Sequence, residues 1–328
     1  MPDSEDLWHP GRIAAFLALG LAIYVGLFWW SDVILRRHGD QNPFLRIANV
    51  PANAQANLPA ETDWIILGAS HAMPLGFADM PAILHERTGQ RTLTLAVTGG
   101  GPFLMRVIGA RWFTDHRAKG VLIVLDSFGF ADPRWNALRL ADSDVLPKIP
   151  ADWATVKILA RAVPRGLSWQ TWLAYASGFA RINDRTRFSP DSWEAEARFD
   201  SATRPNAAAT KARVGFLYPG PPDAQALDQG LADLEALIRE AQSHGASVVI
   251  VRPPLPEAFR AALPDSPGFE ARLRDHAAQL NVAVHDFSAS LPAPHYYFDA
   301  DHLNRTGVLG WLDQGLAELL ASPDDGGQ

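Results

Sequence analysis

Two short segments of this 328-residue chain carry residue types that can do covalent chemistry together. The first is Gly68-Ala69-Ser70-His71, directly behind the apolar run Trp64-Ile65-Ile66-Leu67. A serine on a tight turn there presents its hydroxyl amid backbone N–H groups and can attack an acyl carbon; the same serine can equally be a helix N-cap. The second is Phe298-Asp299-Ala300-Asp301-His302-Leu303-Asn304. Asp299, three residues ahead of His302, can reach the imidazole from the same turn and fix its tautomer, so that the other ring nitrogen takes a serine proton. Two other readings belong to this segment. One is an acidic loop, with Asp301 and Asn304 charging and capping the start of a helix. The other is a metal site drawing on His295, Asp299, Asp301 and His302, disfavoured because no second cluster of ligand types is present. No metal and no cofactor are expected. His71 reads as a partly exposed turn residue, with substrate binding at the mouth of the site as the alternative.

Both segments stand where strands end and helices begin. Short apolar runs at Trp64–Leu67, Thr92–Val97, Val121–Leu125, Ser247–Val251 and Val282–Phe287 read as buried parallel strands. Helical spacing joins Leu227, Leu231, Leu234, Ile238 and Ala241, with Gly245 placed to end that helix. Phe269–Leu280 is a further helix, and Val308, Leu309, Leu312, Leu316, Leu319 and Leu320 mark a final one. Strand–helix alternation predicts an α/β fold, a parallel sheet covered on both faces, with active-site residues just past the carboxyl ends of strands. The interval 151–222 breaks the alternation and reads as a helical insertion containing Trp153, Trp169, Trp172 and Trp193.

Composition narrows the class. Lys and Arg number 29 against 36 Asp and Glu, a formal charge of −7, which argues against nucleic-acid binding through bulk charge. With no cysteine, disulfide frameworks, thiolate zinc sites, iron–sulfur clusters and thiol nucleophiles are excluded. Ile13–Ser31 is an uncharged apolar run, close to the ~20 residues that cross a bilayer as a helix. Trp29 and Trp30 stand at its end, as aromatic rings do at the headgroup zone. The acidic stretch before it and the lack of an adjacent small-x-small site favour an uncleaved anchor over a signal peptide. The expected layout is a tail (1–12), a transmembrane helix (13–35), a linker (36–60) and an α/β domain (61–328).

Taken together, Gly68-Ala69-Ser70 after the first strand and Asp299-Ala300-Asp301-His302 before the last helix resemble the SGNH (GDSL-like) hydrolase superfamily over roughly residues 62–320. Thr94-Leu95-Ala96-Val97-Thr98-Gly99 supplies the glycine this family has after its second strand. The resemblance implies a three-layer, parallel-sheet, SGNH-hydrolase-like domain. It also implies Ser70 as nucleophile, His302 as general base and Asp299 as its partner. The Ser70 and Gly99 N–H groups would form part of an oxyanion hole beside Gly100, each donor typically worth a few kcal/mol. The family's Gly-x-Asn-Asp block is absent after the third strand, where this chain has Leu125-Asp126-Ser127-Phe128-Gly129; Ser127 is the available donor. That departure looks like the membrane-anchored branch, which acylates exported or cell-wall polymers. The branch implies a serine-dependent O-acyltransferase or esterase acting on a surface polysaccharide beside a multi-spanning acyltransferase. A degenerate accessory subunit is the alternative. Arg12 before the span and Arg36 and Arg37 behind it favour a cytoplasmic domain; the branch implies the extracytoplasmic side of the inner membrane, which is the expectation adopted. Part of 151–200 is expected over the catalytic mouth, facing that partner or the bilayer, with extra core packing as the alternative.

Overall fold

The computed structural model describes residues 10–38, 42–50, 62–185, 195–204, 206–264 and 268–321. Most of the expected tail, residues 39–41 and 51–60 of the linker, and Trp193 lie outside these residues. Five strands, β1 (Trp64–Gly68), β2 (Thr92–Thr94), β3 (Gly120–Val124), β4 (Ser247–Arg252) and β5 (Ala283–Asp286), form one parallel sheet in the order β2-β1-β3-β4-β5. The order reverses between β1 and β3, so their carboxyl ends open a crevice, the place where open α/β sheets bind ligands.

The helices, in chain order, are α1 (Pro10–His38), α2 (Pro43–Asn49), α3 (Met80–Thr88), α4 (Pro102–Asp115), α5 (Ala137–Leu140), α6 (Trp153–Ala162), α7 (Trp169–Ala176), α8 (Phe179–Ile182), α9 (Ala207–Leu217), α10 (Ala224–Ser243), α11 (Glu257–Ala262), α12 (Phe269–Gln279), α13 (Arg305–Trp311) and α14 (Ala317–Ala321). Strand residues alternate between two cores, as a period of two requires. Ile65, Leu67, Val121, Ile123 and Ile250 pack with residues of α4, α10 and α12. Trp64, Ile66, Leu122, Val124, Val249 and Val251 pack with residues of α3, α13 and α14. The fold is therefore three-layered. Trp64 faces Gly120 in register, and a Cβ at Gly120 would stand 2.5 Å from the indole. Glycine at that position is what lets the largest side chain of β1 lie flat over β3.

Three features differ from the sequence expectations. Residues 43–49, read as linker, form α2, because Asn42 caps it, Pro43 starts it, and Phe44, Leu45 and Ile47 are buried. β2 stops at Thr94, although Leu95 and Val97 still donate to Ile66 and Gly68. The last helix is interrupted at Gly315, whose φ of +116° is not helical, while Val308, Leu312, Leu316 and Leu320 remain buried across the break. The described part of the insertion is helical, α6 to α9, with no strand. α1 is a single apolar helix long enough to cross a membrane.

Candidate active site

β1 delivers Ser70 two residues past its end, and tight packing holds the turn. A Cβ on Gly68 would lie 2.7 Å from Ala72 Cβ and 2.9 Å from the Val124 carbonyl. On the other side of the crevice, Asp299 accepts from the backbone N–H groups of Asp301 and His302, folding the Asp-Ala-Asp-His turn onto its own carboxylate. Asn304 caps α13 through Gly307 N–H and also donates to the Ser201 and His295 carbonyls.

These two loops meet. Ser70 Oγ lies 2.8 Å from His302 Nε2, and His302 Nδ1 lies 2.9 Å from Asp299. With Nδ1–H donated to Asp299, Nε2 offers its lone pair to the Ser70 hydroxyl, which is the geometry a hydroxyl nucleophile and its base require. Burial would raise the Asp299 carboxyl, but the His302 ring outweighs it and keeps Asp299 below its ordinary value, hence anionic.

His71 occupies a place the sequence reading did not give it. It is buried, not exposed, with Nδ1 2.6 Å from Asp126 and Nε2 3.2 Å from Asp301. Burial alone would push its pKa down; Asp126 and then Asp301 outweigh that and raise it to about 10. An imidazole with a carboxylate on each nitrogen is held as the cation. Asp301 also differs from expectation, since Asn304, not Asp301, caps α13. It is buried and accepts from Arg213 Nε at 2.9 Å as well as from His71. Burial opposes its charge, yet His302, His71 and Arg213 hold it well below the usual carboxylate range. Three carboxylates, Asp126, Asp299 and Asp301, thus face two standing cations, His71 and Arg213.

The oxyanion-hole expectations divide. No acceptor among the described residues is bonded to the Ser70 or Gly99 backbone N–H, so both remain available. Gly99 has φ of +68°, and a Cβ there would lie 2.8 Å from the Trp135 ring. Gly100 does not serve, because its N–H is spent on the Val97 carbonyl at 2.8 Å. Ser127 Oγ lies 2.7 Å from the Tyr218 hydroxyl.

The metal alternative regroups. His71, Asp301 and His302 bring ligand atoms within 4.8 Å of one another, without His295 or Asp299. The Arg213 guanidinium already neutralises Asp301 and stands 3.3 Å from His302 Nε2, so the donor set is filled by protein cations.

Arg213, Asp126 and Tyr218 are the residues sequence reasoning missed. Asp126 had a signal, an acid at the carboxyl end of a strand. Arg213 had none, since no spacing links α9 to a histidine 89 residues later. Through α9 the insertion reaches the site, and residues 198–199 bond the loop that carries His302: Arg198 donates to the Phe298 carbonyl and the Phe199 carbonyl accepts from Arg305 N–H. Leu217, Val214 and Tyr218 pack in one cluster with Ala69, Phe128 and Trp135, and Ser70 beneath is only 1% exposed.

No family model matches the chain, and no curated protein matches it. Among solved structures it is similar to a Bacteroides fragilis protein described as a candidate acylhydrolase. The likeness is 11% identity and a TM-score of 0.43, over 86% of this chain and 97% of that one.

Proposed function

We propose that this protein is a serine esterase or O-acyltransferase of the SGNH type, working through an acyl-serine intermediate. The observation that carries it is the Ser70–His302–Asp299 relay, with 2.8 and 2.9 Å between successive partners. His302 Nε2 takes the Ser70 proton as Oγ bonds to the acyl carbon. The tetrahedral oxygen is held by the Ser70 and Gly99 N–H groups, and the Ser127 hydroxyl is the further donor this reading assigns. Collapse breaks the ester bond, and the departing alkoxide leaves with the proton from His302. Water or an acceptor hydroxyl then gives its proton to His302 and attacks the acyl-serine, restoring Ser70. Hydrolysis and transfer differ only in that acceptor.

The proposed setting is the extracytoplasmic face of the inner membrane, with α1 as anchor, a surface or exported polysaccharide as substrate and a multi-spanning acyltransferase as acyl source. The apolar α1 and the resemblance of the motifs to the anchored branch support it. A C-terminal alkaline phosphatase fusion is then active in intact cells; an inactive phosphatase with a fluorescent cytoplasmic reporter contradicts this orientation. Turnover of an aryl acetate by the full-length protein in detergent tests the chemistry. Turnover absent from Ser70→Ala supports it, and equal turnover by both proteins rejects it.

A second reading, an accessory subunit without turnover, draws support from the closed site. Ser70 is buried and Arg213 shares His302 Nε2 with it.

A further inference from the structure

α1 does not stand clear of the domain. Tyr24 donates to the Ser177 carbonyl at 2.9 Å, Phe28 packs on Gly178 and lies under the Arg181 guanidinium, and Asp32 accepts from Ala151 N–H at 2.5 Å. Residues 24, 28 and 32 form one stripe, so the second half of the apolar helix runs along α8 and the turn that joins α7 to it. The part clear of the domain, residues 10–23, rises about 21 Å at 1.5 Å per residue. A hydrocarbon core is ~30 Å thick. Even with every residue from Pro10 inside, the last ~9 Å of the crossing falls on residues 24–29, the turns that touch Ser177 and Gly178.

We infer that α7 and α8 are sunk into the bilayer beside the anchor, as a monotopic membrane-binding edge of the domain. The inference rests on the reading of α1 as a membrane span. The exposed side chains of α7 and α8 suit lipid. Trp169 and Leu173 lie on the same helical stripe as Ser177 and are 59% and 45% exposed; Phe179, just beyond, is 57% exposed. Such apolar groups are costly in water and favourable at an acyl boundary. On α6, Trp153 is 69% exposed, with the Lys157 ammonium 5.6 Å from its ring and Arg161 one turn on. An indole beside cations is the chemistry of an anionic headgroup layer, and it stands out in a chain of net charge −7. Bilayer lipid is thus the occupant that both the depth and the charge select.

The chain has no cysteine, so single cysteines carry spin labels without background. The full-length protein is labelled at Leu173→Cys, Phe179→Cys, Phe16→Cys and Glu86→Cys and reconstituted in phosphatidylethanolamine–phosphatidylglycerol vesicles. Collisions with oxygen and with a water-soluble nickel chelate report depth. The expected result is oxygen access and nickel protection at 173 and 179, about 5–10 Å below the phosphates, deeper protection at 16, and full nickel access at 86. Labels at 173 and 179 as open to nickel as 86, with 16 protected, overturn the inference while leaving the anchor intact. Labels at 173 and 179 shielded from both reagents mean that a second copy of the chain covers the face, and overturn it too. A label at 16 open to nickel removes the anchor reading and the inference together.

Discussion

His71 Nδ1 lies 2.6 Å from the carboxylate of Asp126, a residue 55 positions away at the end of the neighbouring strand. The contact ties the two walls of the crevice together directly behind Ser70. With Asp301 on the other ring nitrogen, it makes the residue after the serine a buried cation and not a surface ornament.

That ion pair has a pH signature. The folded pKa of His71 is raised to about 10, above the 6.5 of the free side chain. Its contribution to stability is therefore complete below pH 6.5 and is lost as pH rises through 10. Unfolding of the full-length protein in detergent is expected to show stability falling over this window, with a shallower fall in His71→Gln. Parallel curves for the two proteins contradict the assignment.

Asp299 and Asp301 separate by readout. Asp299→Asn is expected to lower the rate on the order of 10³-fold or more, because the imidazole loses its tautomer partner. Asp301→Asn instead weakens the counter-charge of His71 and Arg213 and is expected to lower the melting temperature by several degrees. A melting temperature unchanged in Asp301→Asn rejects its structural role.

Gly99→Ala meets two obstacles, a positive φ and the Trp135 ring. The expected cost is about 1–3 kcal/mol of stability with a rate loss on the order of 10²-fold, since the N–H is displaced with the turn. Unchanged kcat with unchanged melting temperature shows that Gly99 is not part of the oxyanion hole.

Arg213 closes the site from α9. Arg213→Ala is expected to speed labelling of Ser70 by a bulky fluorophosphonate several-fold while lowering thermal stability, because Asp301 loses its guanidinium. Slower labelling points to Arg213 as an aid to catalysis and not a cover.

The strands and the two segments that bring Ser70, Asp299 and His302 together were legible because each is a local pattern: an apolar run closed by Gly68, Asp126 or Pro253, or an aspartate three residues before a histidine. α2 was not, since its Asn-Gln-Pro surroundings resemble a linker and only burial of Phe44, Leu45 and Ile47 makes it core. The role of His71 could not be read either. Its partners are 55 and 230 residues away, and nothing near it in sequence says that Asp126 and Asp301 converge there. Arg213 failed for the same reason. Long-range charge pairing leaves no periodicity.

The central claim is that Ser70 is an activated nucleophile, and intact-mass and peptide mass spectrometry after fluorophosphonate treatment tests it most directly. The account predicts one adduct on full-length protein, on the Ser70 peptide, absent from Ser70→Ala and strongly reduced in His302→Ala. A folded wild-type protein with no adduct, or with the adduct on another residue, contradicts it.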